Sequence, residues 1–246
     1  MCMSKIIFKP IFNQSESFVW DDFVNIGAAS RLGTYNMVTT ADKYVYKMDE
    51  YRKNWKSRSF NFAFGAYDNS QMIGFVHGYC LDRVGYVAEL YILPDYQGLK
   101  IGSSLLTMAE NVAVYGANKM ELTALGTQRA MSYYPKRGYT IRLAPNGFEK
   151  KLVKRPHCQT VPVFKVTRPI AAACAKIASV YGDTFDAKQI NSSHAPMFIY
   201  SNEQGEITGF GVSGGDCGNI KTYVAPHNDV NWIRGRLMKS FAELSK

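Results

Sequence analysis

Between Leu93 and Leu106 the chain reads LPDYQGLKIGSSLL, a glycine-bearing turn set between an apolar run and a segment with helical spacing. A turn that delivers a strand into a helix N-terminus suits anions. The first-turn amides have no carbonyl partner inside the helix, and the helix dipole adds positive potential there. Gly98 lets backbone approach a phosphate with no Cβ in the way, and Gly102 permits close contact one turn into the helix. The spacing is neither the dinucleotide GxGxxG fingerprint nor the GxxxxGK phosphate loop. Lys100 supplies a backbone amide if its φ is negative, and its ammonium adds a cation near a pyrophosphate. A loop that required positive φ at position 100 would conflict with that residue. Two further residues could do chemistry. Glu89 interrupts the apolar run YVAELYIL, so its carboxylate is expected to face a cleft as a base, or to pair with a nearby cation. Cys80 lies in strand-like sequence, and although His77 is close in number, nothing marks the thiol as an activated nucleophile.

These residues need a scaffold, and the first half supplies alternating β and α signals. KIIFKPIF, FNFAFGAY, MIGFVHGYCL and YVAELYIL read as strands, the middle two joined at Asp68-Asn69-Ser70. Ile101, Leu105, Met108, Ala109, Val112 and Ala113 define one face of an amphipathic helix, with Gly116 placed as its C-terminal cap. KMELTAL is a further strand, AMSYYPKRG a short helix stopped by Gly138, and GFEKKLV a closing strand. Pro156 and Pro162 bracket an expected linker over 154–162. The second half, 163–246, repeats the order: a strand in VPVFKVTRP, a helix ending at Gly182, a hairpin, the strand IKTYVAP and a helix over 231–244. Counted from Pro94 and Pro226, Ile101 matches Ile233, and Leu105-Leu106 match Leu237-Met238. An internal repeat is the reading these offsets favour.

The combination ELYILPDYQGLKIGSSLL, a strand, then AMSYYPKRGY resembles the GNAT superfamily of N-acetyltransferases over residues 5 to 153. That family's loop reads Gln/Arg-x-x-Gly-x-Gly/Ala, and Gln97, Lys100 and Gly102 stand at its named positions. Lys100 replaces the middle glycine, and Thr127 stands where many members have asparagine. The resemblance implies an α/β (α+β) fold with a mixed, mostly antiparallel sheet flanked by helices, and residues 1–153 as an acetyl-CoA-binding catalytic domain. It also implies roles. The edge of the strand at Leu90, Tyr91 and Ile92 would pair with the pantetheine amides. Gln97, Gly98, Leu99, Lys100, Ile101, Gly102 and Ser103 would hold the pyrophosphate. Glu89 would be the base in direct attack by an amine, and Tyr134 would protonate the departing thiolate. The acceptor is a small-molecule or peptide amine of unspecified identity. The aromatic segment from Ser15 to Phe60, with Trp20, Tyr35, Tyr44, Tyr46, Tyr51 and Trp55, is expected to shape its pocket. A catalytically silent module that binds coenzyme A or a partner protein is the competing reading.

In the second half the matching turn, HNDVNWIRG, puts Asp229 at the Gln97 offset and Val230, Trp232 and Arg234 at those of Gly98, Lys100 and Gly102. No counterpart of KMELTAL or Tyr134 follows, so this half is expected to be a partial, non-binding copy. It would cover the first sheet, complete the cleft or make a homodimer contact. Composition is compatible with these readings. With 246 residues, 46% apolar and 20% charged, there is material for one large domain or two small ones. No run approaches the ~20 apolar residues of a membrane span, and MCMSKIIFKPIF lacks the features of a signal peptide, so a cytoplasmic location is expected. Five scattered cysteines and four dispersed histidines point to reduced thiols and no metal. A net charge of +9 favours anionic partners, a phosphorylated cofactor included. Lys150, Lys151, Lys154 and Arg155 read as a solvated connector, which argues against a nucleic-acid patch.

Overall fold

The computed structural model describes residues 6–11, 17–35, 60–124, 128–142, 147–153, 159–193, 195–214, 219–226 and 228–244. The chain divides into two compact units, Met1–Ala113 with Ala117–Leu152, and Val153–Lys246 with the turn Val114–Gly116. Most of the aromatic segment expected to shape an acceptor pocket, and Thr127, lie outside the described residues.

In the first unit, β1 (Ile7–Pro10), β2 (Phe60–Asp68), β3 (Gln71–Leu81) and β4 (Val84–Ile92) form an antiparallel series. The sheet continues through β5 (Lys119–Thr123), β7 (Gly147–Lys151) and a short edge strand β6 (Thr140–Ile141) that sequence reading missed. Among the described residues only the β4–β5 pair of this sheet is parallel. Helix α1 (Ser17–Tyr35) packs on β3 and β4, and α2 (Ile101–Ala113) packs on β2, β3 and β4. Side chains alternate along a strand, so the two helices take opposite faces. Tyr91 turns towards Phe75 and Phe23 of the α1 cluster, while its neighbour Ile92 reaches Gly102 of α2.

Helix α2 buries Ile101, Leu105, Leu106, Ala109, Val112 and Ala113, close to the expected face, with Leu106 fully buried and Met108 only partly so. Its end does not use a left-handed glycine at Gly116; Ala117 instead donates to the Ala113 carbonyl at 2.8 Å. The short helix α3 (Gln128–Tyr133) passes into a 3₁₀ turn, Pro135–Arg137, closed by Gly138 at φ +83°. Buried Glu110 of α2 ties this region to the sheet by accepting from Tyr139 (3.0 Å) and from Lys150 (2.9 Å). Lys150 is therefore an ion-paired strand residue of β7, not part of a solvated connector: a buried carboxylate requires a partner of this kind.

The second unit holds a four-stranded antiparallel sheet, β8 (Gln159–Pro162), β9 (Met197–Ser201), β10 (Ile207–Gly214) and β11 (Asn219–Val224), neighbours in chain order. The helices are α4 (Arg168–Ser179), α5 (Ala187–Ser193), which the sequence reading did not foresee, and α6 (Val230–Ala242). β8 begins at Gln159, inside the stretch expected to be a linker.

The first four strands of each unit follow the same order, and a helix follows each fourth strand. Both central hairpins bulge just before a Gly-Phe pair, at Ile73 in β3 and Thr208 in β10. Gly74 then lies opposite Ile92 and Phe75 opposite Tyr91; Gly209 lies opposite Val224 and Phe210 opposite Tyr223. A Cβ on Gly74 would stand 3.0 Å from the Tyr91 carbonyl oxygen, and one on Gly209 would stand 3.2 Å from that of Tyr223. Both glycines serve the same close approach.

Candidate functional site

A cleft of about 760 Å³ in the first unit brings together residues far apart in sequence. Its long wall is β4. Pairing of β4 with β5 covers only Val84–Val87 against Lys119–Leu122. Across β3, His77 faces Glu89 while Gly78 faces Val87, so Ala88 is an extra, bulged residue. A bulge bends its strand, and beyond this one β4 runs on along the cleft, past the last residue that pairs with β5. Glu89, Leu90, Tyr91 and Ile92 all line it.

At one end stands the loop into α2. Gln97 braces it, donating through Nε2 to the Ile92 carbonyl at 3.2 Å. Gly98 has φ +89° with open space where a Cβ would be. Lys100 has φ +62°. The condition of negative φ at Lys100 is thus not met: the lysine takes the left-handed conformation that glycine adopts without cost, because the tight turn into the helix dictates it. The Lys100 carbonyl accepts from Ser104 at 3.0 Å, which makes Lys100 the residue that opens α2. Its side chain has no acceptor atom and cannot cap the first-turn amides, and no acidic residue lies in that turn. Lys100, Ile101, Gly102 and Ser103 line the cleft; Leu99 does not, and is exposed at 39%.

Tyr134 lines the cleft from the far wall, its ring held by Tyr133, Tyr139 and Phe148 at 5.0, 5.7 and 4.9 Å. The adjacent Tyr133, which sequence reading did not single out, places its hydroxyl 3.2 Å from Ser103 Oγ at the loop. Glu89 is buried but borders the cleft. Two residues further along β4, the Tyr91 oxygen accepts from Arg31 Nε at 2.9 Å. Burial, then the Glu89 charge, push the Tyr91 phenol well above its ordinary range, with Arg31 opposing.

At the other end the cleft is lined by Tyr79 and Tyr86, stacked at 5.1 Å, and by Glu121 and Arg142. Glu121 is buried and pairs with Lys119 at 2.6 Å and with Arg142. Burial first, then Glu121, raise the Tyr86 phenol. Glu121 carried the same sequence signal as Glu89, a carboxylate inside an apolar strand; Arg31 and Arg142 carried none.

Cys80 is buried, and burial pushes its thiol up to about 12, which suits a packing role. In the second unit the turn into α6 is built differently. Asp229 caps that helix, accepting from the Trp232 amide at 3.0 Å, so the chain's own carboxylate occupies the place an anion would take. Lys221 stands two residues before Tyr223, the position that Glu89 holds before Tyr91.

A mixed sheet whose fourth strand runs on past its parallel neighbour to the start of a helix is the arrangement that the sequence resemblance implies. Residues 31–139 match the model of the acetyltransferase (GNAT) family. Similar solved structures include an acetyltransferase of the GNAT family from Staphylococcus aureus Mu50, 15% identical with a TM-score of 0.51, covering 61% of this chain and 100% of that one. The PaiA N-acetyltransferase from Thermoplasma acidophilum, in complex with coenzyme A, is 20% identical with a TM-score of 0.49 over 60% of this chain and 99% of that one. A GNAT family acetyltransferase from Brucella melitensis, in complex with acetyl-CoA, is 13% identical with a TM-score of 0.46 over 61% and 89%. Comparison with curated proteins gives no match.

Proposed function

We propose that the first unit transfers the acetyl group of acetyl-CoA to the primary amine of an acceptor by direct attack within a ternary complex. The observation that carries this reading is the continuity of one cleft, from β4 beyond its pairing with β5, past Glu89, to the start of α2. The residues fit the cofactor. Backbone groups of Leu90, Tyr91 and Ile92 suit the amides of a pantetheine arm, which would add to the edge as a strand does. The amides from Gly98 to Ser103 and the Lys100 ammonium suit a pyrophosphate. Bound there, acetyl-CoA supplies an activated thioester carbonyl. Glu89 takes the proton of the acceptor ammonium, directly or through water, so that a neutral amine attacks. A C–N bond forms and the C–S bond breaks; Tyr134 gives its proton to the leaving sulfur, and the phenol is restored by the proton that the newly bonded nitrogen sheds as it becomes an amide. The second unit, with Asp229 at its helix start and Lys221 in place of a base, has no such site in this reading.

The test is calorimetric titration with acetyl-CoA, followed by coenzyme A release with a panel of spermidine, an aminoglycoside, free amino acids and a peptide N-terminus. One site per chain and release with at least one amine are expected. No binding, or two equal sites, would refute the assignment; binding without release from any amine would favour a silent coenzyme A module.

A further inference from the structure

We propose that Ser103 and Tyr133 act together as one shared hydroxyl donor to the cofactor's pyrophosphate, held in place by a brace of Thr107 and Arg137. The inference rests on the reading of the loop into α2 as the pyrophosphate site. Both hydroxyls border that loop. Ser103 and Tyr133 line the cleft, and their side-chain oxygens lie 3.2 Å apart. The Tyr133 oxygen also stands 4.0 Å from the place a Cβ on Gly102 would take, so the phenol reaches over the first turn of α2. An anion held by the first-turn amides meets this pair of hydroxyls.

A proton count makes the pair a donor. Each hydroxyl carries one proton and can also accept. The bond between them uses one proton, whichever oxygen donates, and one is left over. Among the described residues neither hydroxyl makes another hydrogen bond. A half-buried hydroxyl proton without an acceptor is unfavourable, and a phosphate oxygen supplies the acceptor. The brace sets the geometry. Ser103 and Thr107 are four residues apart on α2 and share a face. Tyr133 and Arg137 have the same spacing where α3 passes into the 3₁₀ turn. Arg137 Nη2 donates to Thr107 Oγ1 at 2.7 Å, and the guanidinium carbon lies 5.9 Å from the Tyr133 ring centroid. Two rungs, Ser103–Tyr133 and Thr107–Arg137, thus tie the wall that carries Tyr134 to the loop. The second unit shows the contrast. Gly235 stands at the Ser103 offset and has no hydroxyl, and Asp229 caps that helix start instead.

Calorimetric titration of the full-length protein with coenzyme A tests the pair without any acceptor, and phosphorus NMR of the bound cofactor locates the contact. Either hydroxyl can donate alone once its neighbour is gone. Ser103→Ala and Tyr133→Phe should therefore each weaken binding only about twofold, and the double variant roughly tenfold or more, beyond the product of the single losses. In the double variant the pyrophosphate signals should move while the 3′-phosphate signal stays. Thr107→Val keeps the shape of the side chain but removes the acceptor of Arg137. It should cost about twofold alone and nothing further in the double variant, where no donor is left to brace. Circular dichroism confirms the native fold of each variant. Wild-type affinity in the double variant, losses that merely multiply, or a shift confined to the 3′-phosphate overturns the shared donor. A Thr107→Val loss that persists undiminished in the double variant overturns the brace. No binding by the wild type instead refutes the reading of the loop itself.

Discussion

Lys100 permits a sharp test of the loop, because its backbone and its side chain act in opposite directions. At φ +62° a residue with a Cβ carries a strain of about 1–2 kcal/mol that glycine lacks. Glycine at position 100 would return about 0.5–1 kcal/mol of this through the greater freedom of its unfolded chain. Lys100→Gly should therefore stabilise the protein by roughly 0.5–1 kcal/mol, about 2 °C in Tm for a chain of this size. Lys100→Ala keeps the strain, since it keeps a Cβ, and should stay within about 0.5 kcal/mol of wild type. Both variants lose the ammonium, which is exposed and therefore worth only about 1 kcal/mol to a pyrophosphate, roughly fivefold in Kd. Thermal unfolding and acetyl-CoA calorimetry, run in parallel at low and high salt, separate the two effects. Both variants should bind severalfold more weakly at low salt, and the gap should close at high salt as screening removes the cation's share. If Lys100→Gly proved less stable than Lys100→Ala, φ at position 100 would not be left-handed. If affinity were equally lost at all salt concentrations, the lysine would be acting through loop geometry instead.

Other expectations follow from packing and titration. Gly74→Ala and Gly209→Ala should each cost about 1–3 kcal/mol in denaturant unfolding, the former more, since its Cβ would stand 2.5 Å from Ile92 Cδ1 and that of Gly209 2.9 Å from Ile233 Cγ2. Tyr139→Phe should cost about 2 kcal/mol at neutral pH by removing a donor from buried Glu110. Burial first, then Glu110, raise the Tyr139 phenol far above its unfolded value near ~10. Its contribution is therefore complete below that pH and lost above it, so the gap between wild type and Tyr139→Phe should narrow from about pH 10 upward in pH-dependent melts. Cys80 and Cys174, both buried, should escape alkylation by iodoacetamide in the native state, as read by peptide mass mapping, and react on unfolding.

The sequence made the loop legible because Gly98 and the apolar face of α2 are local signals, readable one turn at a time. The backbone at Lys100 was not, since a side chain's identity does not report the φ its neighbours impose. The extra residue at Ala88 was hidden too: a bulge is a property of two strands, and nothing in YVAELYIL shows where its partner falls out of register. Arg31 reaches Tyr91 across sixty positions of sequence, and Arg142 reaches Glu121 across twenty-one; only the sheet brings them together. Leu99 entered the candidate site as part of the turn, where only its backbone amide can serve, since its side chain is exposed and does not line the cleft. The helical spacing of AMSYYPKRG was read correctly as far as Tyr133, after which Pro135 redirects the backbone into a 3₁₀ turn.

The two helix starts, one opened by Lys100 and one capped by Asp229, have a consequence for the rhythm of local opening. A capped N-terminus is held shut by its own side chain, at about 1 kcal/mol. A start opened by a lysine, whose side chain has no acceptor for the first-turn amides, frays more readily. Amides in the first turn of α2 should exchange with solvent faster than those at the start of α6, and should slow selectively when acetyl-CoA is added. On this view, receptivity and rigidity at a helix end are alternatives, and this chain shows one of each.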